Sequence, residues 1–222
     1  MKKKIILVCF SILCLCRIFA NEKVTLVIEQ IDGKIIEEVV EQNTAYVTFY
    51  GPKIRSIKNI YGLENLKKLE NLEFYNLYFS NMDFISTCKN IKNLCVSGCT
   101  IVDFSYIEEL ESLEDLILEF YVDYNINESL KNKVIDIKKL RKLKKIAFSG
   151  IIRKDNDLLK YGSVPLFINP YSECVLVLGD QGITRLSEKE KEVIKGFKTV
   201  YLYANPVCNT EDVKNLNNII IE

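Results

Sequence analysis

Apolar positions along this chain fall into a spacing that keeps returning. The stretch "LKKLENLEF", Leu66 to Phe74, is apolar at 66, 69, 72 and 74. Taken alone, that spacing fits one face of a short helix. The same offsets recur in "CKNIKNLCV" (Cys88, Ile91, Leu94, Val96), "LESLEDLIL" (Leu110, Leu113, Leu116, Leu118) and "LRKLKKIAF" (Leu140, Leu143, Ile146, Phe148). The copies start at 66, 88, 110 and 140, so the steps are 22, 22 and 30 residues. The last two apolar positions of each copy alternate with a single residue between them, which is strand periodicity. One 22-residue segment cannot bury its own apolar face, whereas stacked copies can, because each alternating pair drops into a shared core. A coiled coil would need a step of seven.

Weaker copies extend the array. "YVTFYGPKI" supplies Val47 and Phe49, then Ile54. "CVLVLGDQGI" supplies Leu176 and Leu178, then Ile183. "FKTVYLYANPV" supplies Val200 and Leu202, then Val207. "VKNLNNIII" supplies Val213, Leu216, Ile219 and Ile221. The strand pairs therefore start at 47, 72, 94, 116, 146, 176, 200 and 219. That is about eight turns, above the three or so that a stable array requires. Five places after the first strand residue, such repeats use Asn or Cys to satisfy backbone groups of the neighbouring turn. Asn205 and Cys99 stand there, but Leu77, Tyr121, Ile151 and Gln181 do so elsewhere, so the ladder is partial.

Two segments interrupt the rhythm and one precedes it. Residues 119–139 and 149–175 are long turns, and insertions in solenoids go to loops that often carry binding. Residues 21–44 are not a repeat. "VTLVIEQIDGKIIEEVV" reads as two strands around an Asp32-Gly33 turn, a hairpin that caps the first turn, with a helix over "KIIEEVVEQ" as the alternative. The C-terminal "NIIIE" is strand-like and shows no separate cap, so that edge is expected bare or partnered.

"LCVSGCTIVDFSYIEELESL", Leu94 to Leu113, resembles the 22-residue class of leucine-rich repeats found in bacterial internalins and SDS22-like phosphatase regulators. Leu94, Val96, Cys99, Ile101, Asp103, Leu110 and Leu113 match its pattern. The resemblance is close over 66–120 and loose over 45–222. It implies an α/β solenoid with a curved parallel β-sheet on the concave side and short helical or 3-10 turns on the convex side. It also implies protein binding, which is what most members do. The expected organisation is a signal at 1–20, a β-hairpin cap at 21–44 and a repeat domain at 45–222.

Charge and composition narrow the function. The N-terminus has a basic start, "MKKK", a twelve-residue apolar run from Ile5 to Cys16, and Ala20 before a possible cut at Asn21. Twelve residues are too few to span a bilayer, which needs about 20. A cleavable export signal is expected, with a lipoprotein signal at Cys14 or Cys16 as the rival, so the mature chain is read as extracytoplasmic, with no transmembrane helix left after signal removal. The whole chain has 30 basic and 30 acidic residues; without the first twenty, which hold Lys2, Lys3, Lys4 and Arg17 and no acid, it has 26 against 30. A net charge near −4 argues against a nucleic-acid partner. Histidine is absent, which removes the commonest general base and metal ligand. No nucleophile–base pair, metal cluster or phosphate loop is visible, so no enzymatic activity and no cofactor are expected. Cys88, Cys95, Cys99, Cys174 and Cys208 follow the signal, an odd number without C-x-x-C spacing.

Residues flanking the alternating pairs should point to the concave face: Tyr50, Glu73, Tyr75, Cys95, Ser97, Ile117, Glu119, Ser149, Tyr201 and Tyr203 are the candidate ligand contacts. Tyrosine offers large contact area and a polar tip at small entropic cost, although it is also a common strand residue. Cys88 and Cys99 read as small core residues, while outward-facing Cys95 could react or pair with another chain. The runs "EELESLED" and "KKLRKLKK" read as solvated sides of turns. The leading reading is a monomeric, exported module with a protein ligand; the alternative is an envelope structural protein assembling through its C-terminal edge or inserted loops.

The register has a direct test. Leu94→Asp should abolish cooperative thermal unfolding, because it buries an unpaired charge at a site contributing about 1.5–3 kcal/mol in a domain holding roughly 5–15 kcal/mol. Tyr75→Ala should stay folded. Unchanged unfolding of Leu94→Asp would overturn the repeat assignment.

Overall fold

The fold is taken from a computed structural model of the chain, which describes residues 22–51, 54–101, 105–123, 134–154, 157–160, 166–168, 173–180, 182–205 and 213–222. In chain order the first strands are β1 (Lys23–Glu29), β2 (Ile35–Glu41), β3 (Tyr46–Tyr50), β4 (Ser56–Ile57), β5 (Asn59–Tyr61), β6 (Asn71–Tyr75) and β7 (Tyr78–Phe79). The middle of the chain gives β8 (Asn93–Ile101), β9 (Asp115–Asp123), β10 (Val134–Asp136), β11 (Lys145–Lys154), β12 (Asp157–Lys160) and β13 (Leu166–Ile168). Last come β14 (Val175–Gly179), helix α1 (Glu188–Lys195), β15 (Thr199–Tyr203) and β16 (Ile219–Ile221).

Eight of these strands form one parallel ladder, in the order β3-β6-β8-β9-β11-β14-β15-β16. Its register is the one the sequence predicts. Val47 faces Leu72, Leu72 faces Leu94, and Leu94 faces Leu116. Leu116 faces Ile146, Ile146 faces Leu176, Leu176 faces Val200, and Val200 faces Ile219. The two long turns leave this alignment intact. β9 and β11 stay paired as far as Asp123 and Arg153, and β12 folds back antiparallel on the end of β11. The fold is a leucine-rich-repeat solenoid.

The core lies between the ladder and the convex turns. The strand pairs from Val47 to Leu202 are buried, as are Leu66, Leu69, Cys88, Ile91, Leu110, Leu113, Leu140 and Leu143 before them. The first two turns and the fifth use phenylalanine at the second strand position, where the others use Val, Leu or Ile. Phe49 stacks on Phe74 at 5.4 Å between ring centroids, and Phe79 meets Phe74 edge-on at 5.1 Å. Such ring pairs add to the burial of their area.

Four of the ladder strands, β6, β8, β14 and β15, are left through a backward kink. Asn76, Gly98, Asp180 and Ala204 have positive φ, at 56°, 63°, 44° and 52°, and each lies four residues after the first core residue of its strand. Gly98 also lies under the Asn76 side chain, where an added Cβ would come within 2.4 Å of Asn76 Oδ1. Gly, Asn and Asp tolerate this conformation, whereas alanine is strained in it. One residue further on, Asn205 does what the consensus asks. Its buried side chain donates to Leu178 O (2.7 Å) and accepts from Ile183 N (3.2 Å). At the equivalent place Cys99 Sγ donates to Phe74 O at 3.4 Å.

Short 3-10 turns at Leu63–Asn65, Asp83–Thr87 and Ser105–Glu109 line the convex side. The next two turns differ from expectation, because their convex elements are strands: β10 and β13 pair in parallel. Their backbones pair with each other, and Asp136 N also donates to Glu108 Oε1 at 2.9 Å. α1 follows, closed by a capping box in which Ser187 Oγ accepts from Glu190 N and Glu190 Oε2 accepts from Ser187 N.

At the N-terminus, residues 35–41 are a strand and not the alternative helix. β2 pairs antiparallel with β1 along its whole length, around a turn with Gly33 at φ 83°. The β-branched residues of "IIEEVVE" suit that pairing. β1 joins the solenoid through β5, with Ile28 facing Ile60. The hairpin thus brings Val24, Leu26 and Ile28 into the core, while β3 remains the terminal strand of the ladder.

The kink position predicts opposite signs for two substitutions. Ala204→Gly should stabilise the fold by about 1 kcal/mol, and Gly98→Ala should destabilise it by about 1–2 kcal/mol. Urea midpoints check both; a lower midpoint for Ala204→Gly contradicts the assignment.

Candidate functional site: the concave face of the ladder

A strand with one face in the core must present its other residues outward, and the ladder register turns those residues into rows. The middle row runs Thr48, Glu73, Cys95, Ile117, Ala147, Val177, Tyr201 and Ile220. The row on the exit side runs Tyr50, Tyr75, Ser97, Glu119, Ser149, Gly179 and Tyr203. All ten sequence-predicted site residues therefore stand in two adjacent rows, and none of them is buried.

The face divides into three stretches. At the N-terminal end the polar groups hold one another. The Tyr46 and Tyr75 hydroxyls both donate to Glu73 Oε2, the latter at 3.1 Å, and Cys95 Sγ reaches Tyr75 Oη at 3.7 Å. The Tyr50 and Tyr75 rings lie 6.3 Å apart, tilted by 51°. Ser97 Oγ donates to Glu119 Oε2 at 2.8 Å. In the middle, Ile117, Ala147 and Val177 make a smoother strip. Tyr201 and Tyr203 stand at the far end beside Ile220.

These contacts shift the titrations. The Tyr75 hydroxyl is pushed up by its bond with Cys95, by desolvation and by Glu73. That of Tyr46 is raised chiefly by its bond to Glu73. Both phenols stay protonated donors at neutral pH. The Cys95 thiol is raised chiefly by burial, so it is half-covered and not activated. Burial lifts Cys88 and Cys99 to about 11 and Cys174 to about 12. All four are free thiols; Cys208 lies outside the described residues.

A third row escaped the sequence reading: Tyr46, Asn71, Asn93, Asp115, Lys145, Val175 and Thr199, one residue before each first core position. The signal was present, since the same alternation runs one step further back. Asn93 Nδ2 donates to Asn71 Oδ1 at 2.7 Å along this row.

The charged runs prove complementary. Lys139 pairs with Glu109 at 2.8 Å and Lys144 with Glu114, so "KKLRKLKK" lies against "EELESLED" of the preceding turn. Lys92 meets Glu70 at 2.8 Å, and Lys198 approaches Glu173 at 3.6 Å. The glutamates of the first two pairs are held below, and their lysines above, their ordinary ranges by these bonds. Such exposed pairs add little stability, but they neutralise the strand-entrance edge. An open depression of about 910 Å³ lies along that edge, between residues such as Lys142, Lys144, Val175 and Tyr201.

Among the described residues, no group of three or more His, Cys, Asp or Glu is placed to hold a metal, and no helix is long and apolar enough to cross a membrane.

No family model matches the chain, and no curated protein does. Solved structures do. An internalin C2 from Listeria monocytogenes is 16% identical, over 83% of this chain and 84% of that one, with a TM-score of 0.44. A second Listeria monocytogenes internalin, InlF, is 14% identical over 78% of this chain and 59% of that one, with a TM-score of 0.39.

The Cys95 environment makes a kinetic prediction. Its raised pKa leaves less thiolate at pH 8, so iodoacetamide should label it more slowly than a cysteine peptide, and Cys88, Cys99 and Cys174 more slowly still. Site-resolved mass spectrometry measures this; labelling of Cys95 at or above the peptide rate contradicts the geometry.

Proposed function

We propose that this chain is an exported, non-catalytic binding module that holds a protein ligand on the concave face of its repeats. The observation that carries the reading is the character of that face. Among the described residues its side chains are exposed or half-exposed from Thr48 to Tyr203, it has tyrosines at both ends, and its N-terminal side chains are fixed in place by cross-strand bonds. Rigid tyrosines lose little entropy on binding, and a pre-organised polar network costs little to order. The reading places residues 1–20 as an export signal, the mature chain outside the cytoplasm and the working unit as a monomer.

A second reading, assembly through the last strand, has one observation in its favour: Ile220 and Ile221 on β16 are 38% and 46% exposed. Sedimentation separates the two. Self-association abolished by Ile221→Asp supports assembly; a monomer at all concentrations supports the module.

The ligand is found by cross-linking the full mature chain to proteins of its extracytoplasmic surroundings. Binding should fall at least tenfold in Tyr50→Ala with Tyr75→Ala, and again in Tyr201→Ala with Tyr203→Ala. It should be unchanged in Lys67→Ala on the opposite side. A ligand indifferent to all four tyrosines would overturn the concave-face reading.

A further inference from the structure

The concave face is not electrically uniform. On β3, β6, β8 and β9 its side chains include three carboxylates, Glu73, Asp115 and Glu119, and no lysine or arginine. Lys145 on β11 stands in register beside Asp115. Glu73 and Glu119 have no cation in their own rows. This contrasts with the convex turns and the strand-entrance edge, where Glu109, Glu70 and Glu114 each meet a lysine of the next turn. Among the described residues, lysines meet the acids of the turns and the edge, and none meets Glu73 or Glu119 on the face.

Glu73 is also built to receive. Its Oε2 takes the hydroxyls of Tyr46 and Tyr75, which fixes the side chain, while its Oε1 accepts nothing from the described residues. Tyr75 meets Glu73 through its hydroxyl, and the Tyr50 ring lies against that of Tyr75, so an aromatic pair adjoins the carboxylate. A guanidinium or ammonium within about 6 Å of such a ring is attracted by its quadrupole, and a fixed carboxylate next to it adds a charge-assisted hydrogen bond. Glu119 lies two strands across and two residues along from Glu73, about 12 Å away at the usual strand spacing and rise, and is likewise oriented, by Ser97.

We infer that the N-terminal half of the concave face takes a cationic segment of the protein partner, with an arginine or lysine seated against Glu73 and the Tyr50–Tyr75 pair and a second cation near Glu119. This inference rests on the concave face being the ligand surface. The other half, whose middle and exit rows from Ala147 to Tyr203 carry no charge, then takes neutral or apolar parts of the same partner.

The probe is the peptide acetyl-Gly-Arg-Gly-Gly-Arg-Gly-amide, compared with the same peptide carrying citrulline, which keeps the shape and loses the charge. Binding to the full mature chain is followed by amide NMR shifts. The arginine peptide should move signals of residues 48–50, 73–75 and 95–97, and the citrulline peptide should bind at least tenfold more weakly. Glu73→Gln should weaken the arginine peptide about fivefold and Tyr50→Ala by a similar factor, with both variants folded by their amide spectra. Equal binding of the two peptides, or shifts confined to other acids and untouched by Glu73→Gln, overturns the inference. The broader reading fails separately. If the cross-linked ligand is lost in Tyr50→Ala but indifferent to Glu73→Gln, the face binds a protein without using cations; if it ignores the tyrosines too, the face is not the ligand surface.

Discussion

A single turn of this chain cannot hide its own leucines. Leu94 and Val96 become buried only because Leu72 and Phe74 lie on one side of them and Leu116 and Leu118 on the other. Each fully buried side chain of that size is worth about 1.5–3 kcal/mol, but only once its neighbours are in place. Stability in such an array is therefore a sum of nearest-neighbour terms. Parallel pairing in one register is the arrangement that delivers them, because a slip of one residue would send the whole apolar set to the solvent side.

That constraint also makes the surface. Strand alternation hands every second residue to the concave face, where packing no longer dictates its identity. The face can then hold Glu73, Cys95, Ile117, Ala147, Val177 and Tyr201 in one row without disturbing the core beneath. The polar network at its N-terminal end is a cross-strand structure, spread over β3, β6, β8 and β9. No one turn contains it. Binding geometry here is a consequence of register, and a change that shifted the ladder would dissolve the site before it unfolded the chain.

Much of the fold could be read in advance because the repeat states its register directly. All eight strand positions were legible from the L-x-L pairs, and so were the hairpin turn at Asp32-Gly33 and the ladder role of Asn205. The convex elements were less legible. β10 and β13 hold together by pairing with each other over about thirty residues of separation, which local pattern does not announce. α1 could have been found, since Ser187 and Glu190 have capping-box spacing ahead of Val193 and Ile194. The kink at Asn76, Gly98, Asp180 and Ala204 is hidden because four residue types share one backbone role. The ten face residues were placed by alternation alone, while their bonds depend on side-chain reach across strands and had to be seen. Cys95, which looked reactive in the sequence, is quieted chiefly by burial, with Glu73 and Glu119 adding to the effect.

The account depends most on the ladder running unbroken past the two long turns. Nuclear Overhauser contacts between backbone protons of Asp115 and Lys145, and of Lys145 and Val175, test this most directly. In-register contacts at both pairs, matching those of Asn71 with Asn93, are the predicted result. Contacts displaced by a residue, or missing across either long turn, would mean two separate arrays and no continuous concave face.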